Sequence, residues 1–171
     1  MGQDIQKIIR YLTGKRVAIV GNAQSIFGQN NDIDSYDVVI RFNKGFITDP
    51  QAQGTKTSIV IMACNLTLEE KASYKAEFYV NRSSQTQSGD YTISDKYRKK
   101  LKQIIGKQPT SGFMAINLCL DANAKEIALY GFDWEKTKTF YNPDDYVTKH
   151  DYKTEETIVR EMAKNGILTI N

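Results

Sequence analysis

Only two cysteines, Cys64 and Cys119, occur in 171 residues, and their spacing is not that of a disulfide framework. The chain is therefore expected to fold in a reducing compartment without covalent staples. No run approaches the ~18 consecutive apolar residues of a membrane helix. Met1-Gly-Gln-Asp carries no basic-then-apolar leader, and Gln6 stands where a myristoylation signal wants Ser or Thr. A cytoplasmic location is the expectation. Excess charge of one sign is scarce too: the net charge is +3 and the pI about 8.7. Such mild basicity suits an anionic small ligand, and permits nucleic acid as a partner without favouring it. Histidine is scarcer still, with His150 alone. What is present is ordinary for a globular protein, 40% apolar and 25% charged residues. The length suffices for one domain over residues 1–171 with a sizeable core, and neither an internal repeat nor a linker divides it.

Apolar periodicity predicts alternating elements. Ile5, Ile8, Ile9 and Leu12 recur at helical spacing before Gly14. Strands are expected at Val17 to Val20, Val38 to Ile40, Ser58 to Ala63, Phe78 to Val80 and Glu126 to Tyr130. Helices are expected at Leu66 to Ala76, Ser94 to Ile105, Phe113 to Leu120 with Ser111 as N-cap, and Asp151 to Asn165. Lys44 to Lys56 reads as a turn-rich loop, Arg82 to Tyr91 as a mobile loop, and Trp134 to Val147 as irregular. Strands alternating with helices give an α/β, Rossmann-like fold with a mostly parallel sheet flanked by helices.

The strand Val17 to Val20 breaks at Gly21-Asn22, followed by Gln24 and Ser25, and the next strand ends on Arg41 and Asn43. Adjacent parallel strands ending on a tight turn and polar amides make a nucleotide site. A dinucleotide reading is poor. The loop lacks G-x-G-x-x-G, and no acidic residue follows the second strand to take a ribose hydroxyl. Asparagine amides offer a donor and an acceptor, which suits a mononucleotide better. Two later segments should converge on the same sheet edge. Pro109-Thr-Ser-Gly-Phe113 opens a helix whose free N–H groups and dipole favour a phosphate, and Gly112 lets a ligand approach. Lys149-His-Asp-Tyr-Lys-Thr-Glu155 places His150 just outside the last helix.

These segments, in this order, resemble the sialyltransferase family, glycosyltransferase family twenty-nine, in a small bacterial or viral form. They are similar at a greater distance to the bacterial family forty-two enzymes. Residues 17 to 62 resemble the long motif: V-G-N (Val20 to Asn22), I-D, I-R-F-N (Ile40 to Asn43) and G-T-K-T (Gly54 to Thr57). Residues 109 to 132 resemble the short motif, P-T-S-G followed by E-I-A-L-Y-G-F (Glu126 to Phe132). His150 to Glu155 matches the very short motif, H-x-x-x-x-E. The resemblance implies inverting transfer of a sialic acid-like sugar from a CMP-sugar to the hydroxyl of a glycan or other acceptor, with no metal and no other cofactor. It implies His150 as catalytic base and Glu155 as the motif glutamate with a positioning role. Gly21, Asn22, Asn43, Thr110, Ser111 and Gly112 would hold the donor, with Gln24, Ser25 and Tyr141 nearby. The chain departs from the animal enzymes at Arg16 and Ala124, roughly where a disulfide links their long and short motifs. It also lacks a recognisable aromatic-histidine motif, for which Tyr141 and Tyr146 are the candidate stand-ins.

Blander roles compete for several residues. Asp32-Ile-Asp34 imitates a D-x-D metal motif but suits a turn better, as does Asp144-Asp145. The run Lys96, Arg98, Lys99, Lys100, Lys102 reads as the polar face of an amphipathic helix, with contact to an anionic acceptor or a membrane surface as its functional alternative. Cys64 and Cys119 read as inert packing, while Tyr91, Tyr141 and Tyr146 lie in loops where they could stack on a base or sugar. Three rival functions stay open: a non-catalytic nucleotide-binding module, a transferase of this fold acting on nucleic acid, and, more weakly, an NAD oxidoreductase.

Overall fold

A computed structural model describes residues 3–142 and 148–171. Tyr146 and the Asp144-Asp145 pair lie outside the described residues. The chain runs β1 (Gln3–Asp4), α1 (Gln6–Leu12), β2 (Arg16–Val20), β3 (Val38–Phe42), α2 (Pro50–Gln53), β4 (Ile59–Met62), α3 (Leu68–Tyr74) and β5 (Phe78–Asn81). It continues through β6 (Tyr91–Thr92), α4 (Asp95–Ile105), α5 (Ser111–Asp121), β7 (Glu126–Tyr130), α6 (Tyr152–Lys164) and β8 (Thr169–Ile170). The strands form one sheet in the order β1-β6-β5-β4-β3-β2-β7-β8, every neighbouring pair parallel. The expected α/β architecture with a parallel sheet is what forms. Among the described residues no helix is long and apolar enough to cross a membrane.

Both sheet faces are covered, which is why the central strands are mostly apolar rather than alternating, with the buried Arg41 of β3 as an exception. Val17 and Ile19 of β2 pack with Val38, Ile40 and the helices α1, α4 and α5 in the main core. Ala18 and Val20 face the other side, against Ile26, Ile33, Tyr36 and Tyr130. The chain moves outward from β2 to β6, then returns to the other side of β2 with β7. The order therefore reverses between β2 and β7, the point where the strand ends of an open α/β sheet leave a crevice for a ligand.

Several expectations are corrected. The α5 N-cap is Thr110, not Ser111: Thr110 is extended (φ −70°, ψ 162°) and its hydroxyl accepts from the Phe113 N–H at 3.0 Å. Adjacent Thr and Ser offer the same capping chemistry, so pattern could not separate them. The segment Arg82 to Tyr91 is tied down rather than free. Gly89 N–H donates to Asn81 Oδ1, Gln87 N–H to Asn65 Oδ1, and Thr86 is buried. Tyr91 is a β6 residue, 6% exposed and edge-on to Phe78, so it offers no stacking face. The short elements β1, β6, β8 and α2 carry too little periodicity to be seen in sequence. Cys64 lies beyond the end of β4 and is half-buried, and burial pushes its thiol up; burial takes the Cys119 thiol to about 12. Both stay inert thiols.

Candidate active site

A cavity of about 740 Å³ opens along the C-terminal strand ends. One wall is built by β2 and β3. Gly21 N–H extends the ladder to the Tyr130 carbonyl at 2.7 Å, and the Asn22 side chain donates through Nδ2 to the Phe42 carbonyl at 3.1 Å. That bond leaves Asn22 Oδ1 for other partners. Asn43 takes a left-handed backbone (φ 52°), which asparagine tolerates, and its Oδ1 accepts from Ala63 N–H at 2.7 Å. Each asparagine is thus fixed by one bond to the neighbouring strand end, and both line the cavity.

The long-motif residues divide by role. Asp34 accepts from Thr55 N–H, Thr55 Oγ1 and Lys56 N–H at 2.7–2.8 Å. Arg41 is 1% exposed and donates to the carbonyls of Gln53 (2.7 Å) and Lys56 (2.8 Å) and to Thr57 Oγ1 (3.0 Å). Asp34 and Arg41 clamp the 53–57 loop, and neither lines the cavity. Asp34 therefore works as a turn residue here.

The opposite wall is the start of α5. Three side chains hold three consecutive residues there. His150 Nδ1 lies 2.8 Å from the Gln108 carbonyl, Arg82 Nη2 donates to the Pro109 carbonyl at 2.8 Å, and Glu155 accepts from both Thr110 N–H and Thr110 Oγ1 at 2.7 Å. The H-x-x-x-x-E spacing follows from helix geometry. Asp151 caps α6 through its side chain (3.0 Å to Thr154 N–H), so His150 precedes the cap and Glu155 is the fourth helical residue. Those two positions meet on one side of a helix start. Here both turn towards residues 108–110.

A carbonyl oxygen can only accept, so His150 Nδ1 carries the proton and Nε2 of the neutral ring holds a lone pair. Burial holds the imidazole below its ordinary value of 6.5, against the opposing pull of the Gln108 carbonyl, and the Arg82 charge adds to the depression. The ring is neutral at pH 7. Burial raises Glu155 to about 7, opposed by its Thr110 bonds and by Arg82. Glu155 is 2% exposed, and its oxygens serve Thr110 rather than the imidazole.

The first N–H groups of α5, on Ser111 and Gly112, have no intrahelical partner and point out of the helix start. A phosphate placed there would meet both donors and the positive end of the dipole. Gly112 has a packing reason beyond ligand approach: a Cβ there would lie 2.6 Å from the Phe132 ring.

Of the residues singled out in sequence, Gly21, Asn22 and Asn43 meet Thr110, Ser111 and Gly112 across this cavity, with Tyr141, His150 and Glu155 also lining it. Gln24 and Ser25 are exposed in a short 3-10 turn outside it. There Gln24 N–H donates to the Lys138 carbonyl and Ser25 N–H to Thr137 Oγ1. They support the segment after β7 instead. Sequence reasoning missed Arg82, Phe132 and Trp134 as cavity residues, and left Arg98 on a solvated helix face. The signal for Phe132 and Trp134 was available, because they follow the strand across the switch point from β2.

An open parallel sheet with a polar cleft at its switch point, where a helix start faces two asparagine-tipped strands, is the architecture of a doubly wound α/β protein with its ligand crevice at the C-terminal strand ends. Residues 8–89, just under half of the chain, match the model of glycosyltransferase family 29 (sialyltransferase). Comparison with curated protein sequences gives no match. The crystal structure of a mammalian sialyltransferase is 16% identical, with TM-score 0.65 over 92% of this chain and 68% of that one. The sialyltransferase CstII from Campylobacter jejuni, in complex with the substrate analogue CMP-3FNeuAc, is 18% identical, with TM-score 0.59 over 91% of this chain and 80% of that one. CstII with a trisaccharide acceptor and CMP is likewise 18% identical, with TM-score 0.60 over 91% and 79%. The recognition made from the motifs is borne out: the chain is sialyltransferase-like in fold along most of its length and matches the family model through its first half. The solved structures show the shared fold, and it is the family-model match that points to the glycosyltransferase class.

Proposed function

We propose that this chain, acting as one unit, moves a sialic acid-like sugar from a CMP-sugar to the hydroxyl of a glycan acceptor, with inversion. One observation carries the reading: the Gln108 carbonyl fixes the His150 tautomer so that Nε2 is the basic nitrogen, in the same cavity as the α5 start and two asparagine strand ends. The neighbours solved with CMP-3FNeuAc, and with CMP and a trisaccharide acceptor, support the donor and acceptor classes.

In the proposed step the acceptor oxygen attacks the anomeric carbon and gives its proton to His150 Nε2. The bond from that carbon to the CMP phosphate breaks, and CMP leaves as an anion. Positioned proton transfer of this kind is worth about 10²–10⁴ in rate. The α5 N–H groups of Ser111 and Gly112 stabilise the departing phosphate, so the chemistry asks for no metal and no other cofactor. Asn22 and Asn43 hold the nucleoside, and Glu155 positions the α5 start through Thr110.

A thermal-shift panel tests the donor class. CMP at about a hundredfold excess over its dissociation constant should add about 2.7 kcal/mol of apparent stability, with UMP, GDP and NAD adding far less. Transfer from CMP-sialic acid should persist in EDTA. Binding of CMP without transfer or hydrolysis of any CMP-sugar would leave a non-catalytic module.

A further inference from the structure

Arg82 and Arg98 are the features of the cavity that the proposed transfer does not use. Arg82 directly follows β5, two strands beyond Asn43, and Arg98 sits in the first turns of α4; both line the cavity that holds His150. Each guanidinium has one nitrogen tied off, Arg82 Nη2 on the Pro109 carbonyl and Arg98 Nη1 on Asp95 Oδ1 at 2.6 Å. The Nε–H of each is shut away from water and has no hydrogen-bond partner among the described residues. The cavity's own carboxylates are engaged elsewhere. Glu155 serves Thr110, Asp133 accepts from Thr137 N–H and Oγ1, and Glu135 bonds neither arginine among the described residues. Asp95, the one carboxylate among the described residues bonded to either arginine, is exposed, with a side chain 59% accessible.

Two partly desolvated cations on one cavity wall repel each other, and the described residues neutralise them incompletely. Burial and the Arg98 charge both push the Arg82 guanidinium down, with only Glu155 and Tyr152 pulling the other way. An anion in the cavity relieves both costs. Its chemistry follows from geometry: the α5 N–H groups already offer a phosphate site, whereas a guanidinium's parallel donors match the two oxygens of a carboxylate.

We propose that Arg82 and Arg98 form a carboxylate subsite beside His150 that receives the acidic group of a reacting sugar. The inference rests on the CMP-sugar reading for the identity of that sugar. Two sources supply the same chemistry, the carboxylate of the donor nonulosonate or that of an acidic acceptor.

The test compares wild type with Arg98→Gln, whose side chain has as its one bond among the described residues that to an exposed aspartate; Arg82→Gln, which also frees the Pro109 carbonyl of the α5 start, is read only as the ratio of analogue affinity to CMP affinity. Affinity is measured for CMP, which has no carboxylate, and for CMP-3FNeuAc, which has one. A donor subsite predicts unchanged CMP affinity and a loss of about tenfold to a hundredfold for CMP-3FNeuAc. An acceptor subsite predicts unchanged affinity for both, with KM rising only for sialylated acceptors and not for neutral ones. Equal losses for CMP and its analogue, or no change in any of these, overturns the proposal. If wild type fails to bind CMP, the functional reading falls by itself. The subsite is then read from stabilisation by free N-acetylneuraminate against its methyl ester, and equal stabilisation by acid and ester rejects it.

Discussion

The two walls of the cavity are built on different principles. On the β2–β3 side, the Asn22 and Asn43 side chains each bond the adjacent strand end, so sheet register sets their place, and their carbonyls accept from Phe140 N–H and Tyr74 OH. On the α5 side, Gln108, Pro109 and Thr110 are held by His150, Arg82 and Glu155, partners 42, 27 and 45 residues away. The first wall is neutral, preformed by backbone pairing and open to independent change. The second is charged and shared. His150 gains its tautomer, Arg82 its anchor and Glu155 its burial from the same three-residue turn, so damage to one member should be felt by the others.

The largest separation of the two walls should come from His150→Ala. Transfer should fall by about 10²–10⁴ while CMP affinity falls far less, because the asparagine wall and the Glu155–Thr110 contact at the α5 start remain. In wild type the acid limb of kcat/KM should lie below the ordinary histidine value of 6.5, because burial depresses the imidazole and the neutral ring is the base. Unchanged turnover in the variant would take His150 out of the mechanism.

Glu155 should show the coupling within the second wall. Its pKa is higher folded, about 7, than its ordinary 4.5, so the protonated form is favoured by folding. That contribution is fully present below pH 4.5 and is lost as pH rises through about 7, a change of roughly 3 kcal/mol. Glu155→Gln should flatten this pH dependence in chemical denaturation while keeping the Thr110 contact. Glu155→Ala leaves Thr110 N–H unpaired and should cost about 1–3 kcal/mol at either pH. A Gln variant with the wild-type pH profile would show that the carboxyl does not titrate there.

The smallest effect should arise on the first wall. A Cβ at Gly45 would fall 2.0 Å from Asn22 Oδ1, a side-chain end that can swing away. Gly45→Ala should therefore weaken CMP binding by about tenfold or less, equivalent to about 1.4 kcal/mol, with Tm almost unchanged. A large loss of stability instead would mean that Asn22 is part of the scaffold rather than a ligand group.

How far the sequence could be read follows the same division. Val17 to Val20 and Glu126 to Tyr130 were legible because they are apolar on both faces, and the α6 start because Asp151 caps it locally. Two-residue strands such as β8 are held by pairing alone and leave no pattern. At the site, Gly21, Asn22 and Asn43 were legible as strand ends and His150 as the sole histidine beside a helix start. Arg98 looked like one cation among five on a solvated helix face. Arg41 stood beside Asn43 at the end of the second strand, yet its hydrogen bonds belong to the 53–57 loop, as do those of Asp34, which was read as a turn residue. Chemistry-bearing residue types were visible; which of them face the cavity was not.

Sequence alone determined the succession of strands and helices, the polar ends of β2 and β3, and the helix start that can face a phosphate. Each is set by neighbours a few residues apart, through periodicity, turn chemistry and capping. Tertiary structure alone decided that His150, Arg82 and Glu155 fasten one turn, and that Arg98 joins them at the cavity. Those meetings depend on where the chain reverses across the sheet, and the packing that fixes this is spread over the whole core rather than written in any one segment.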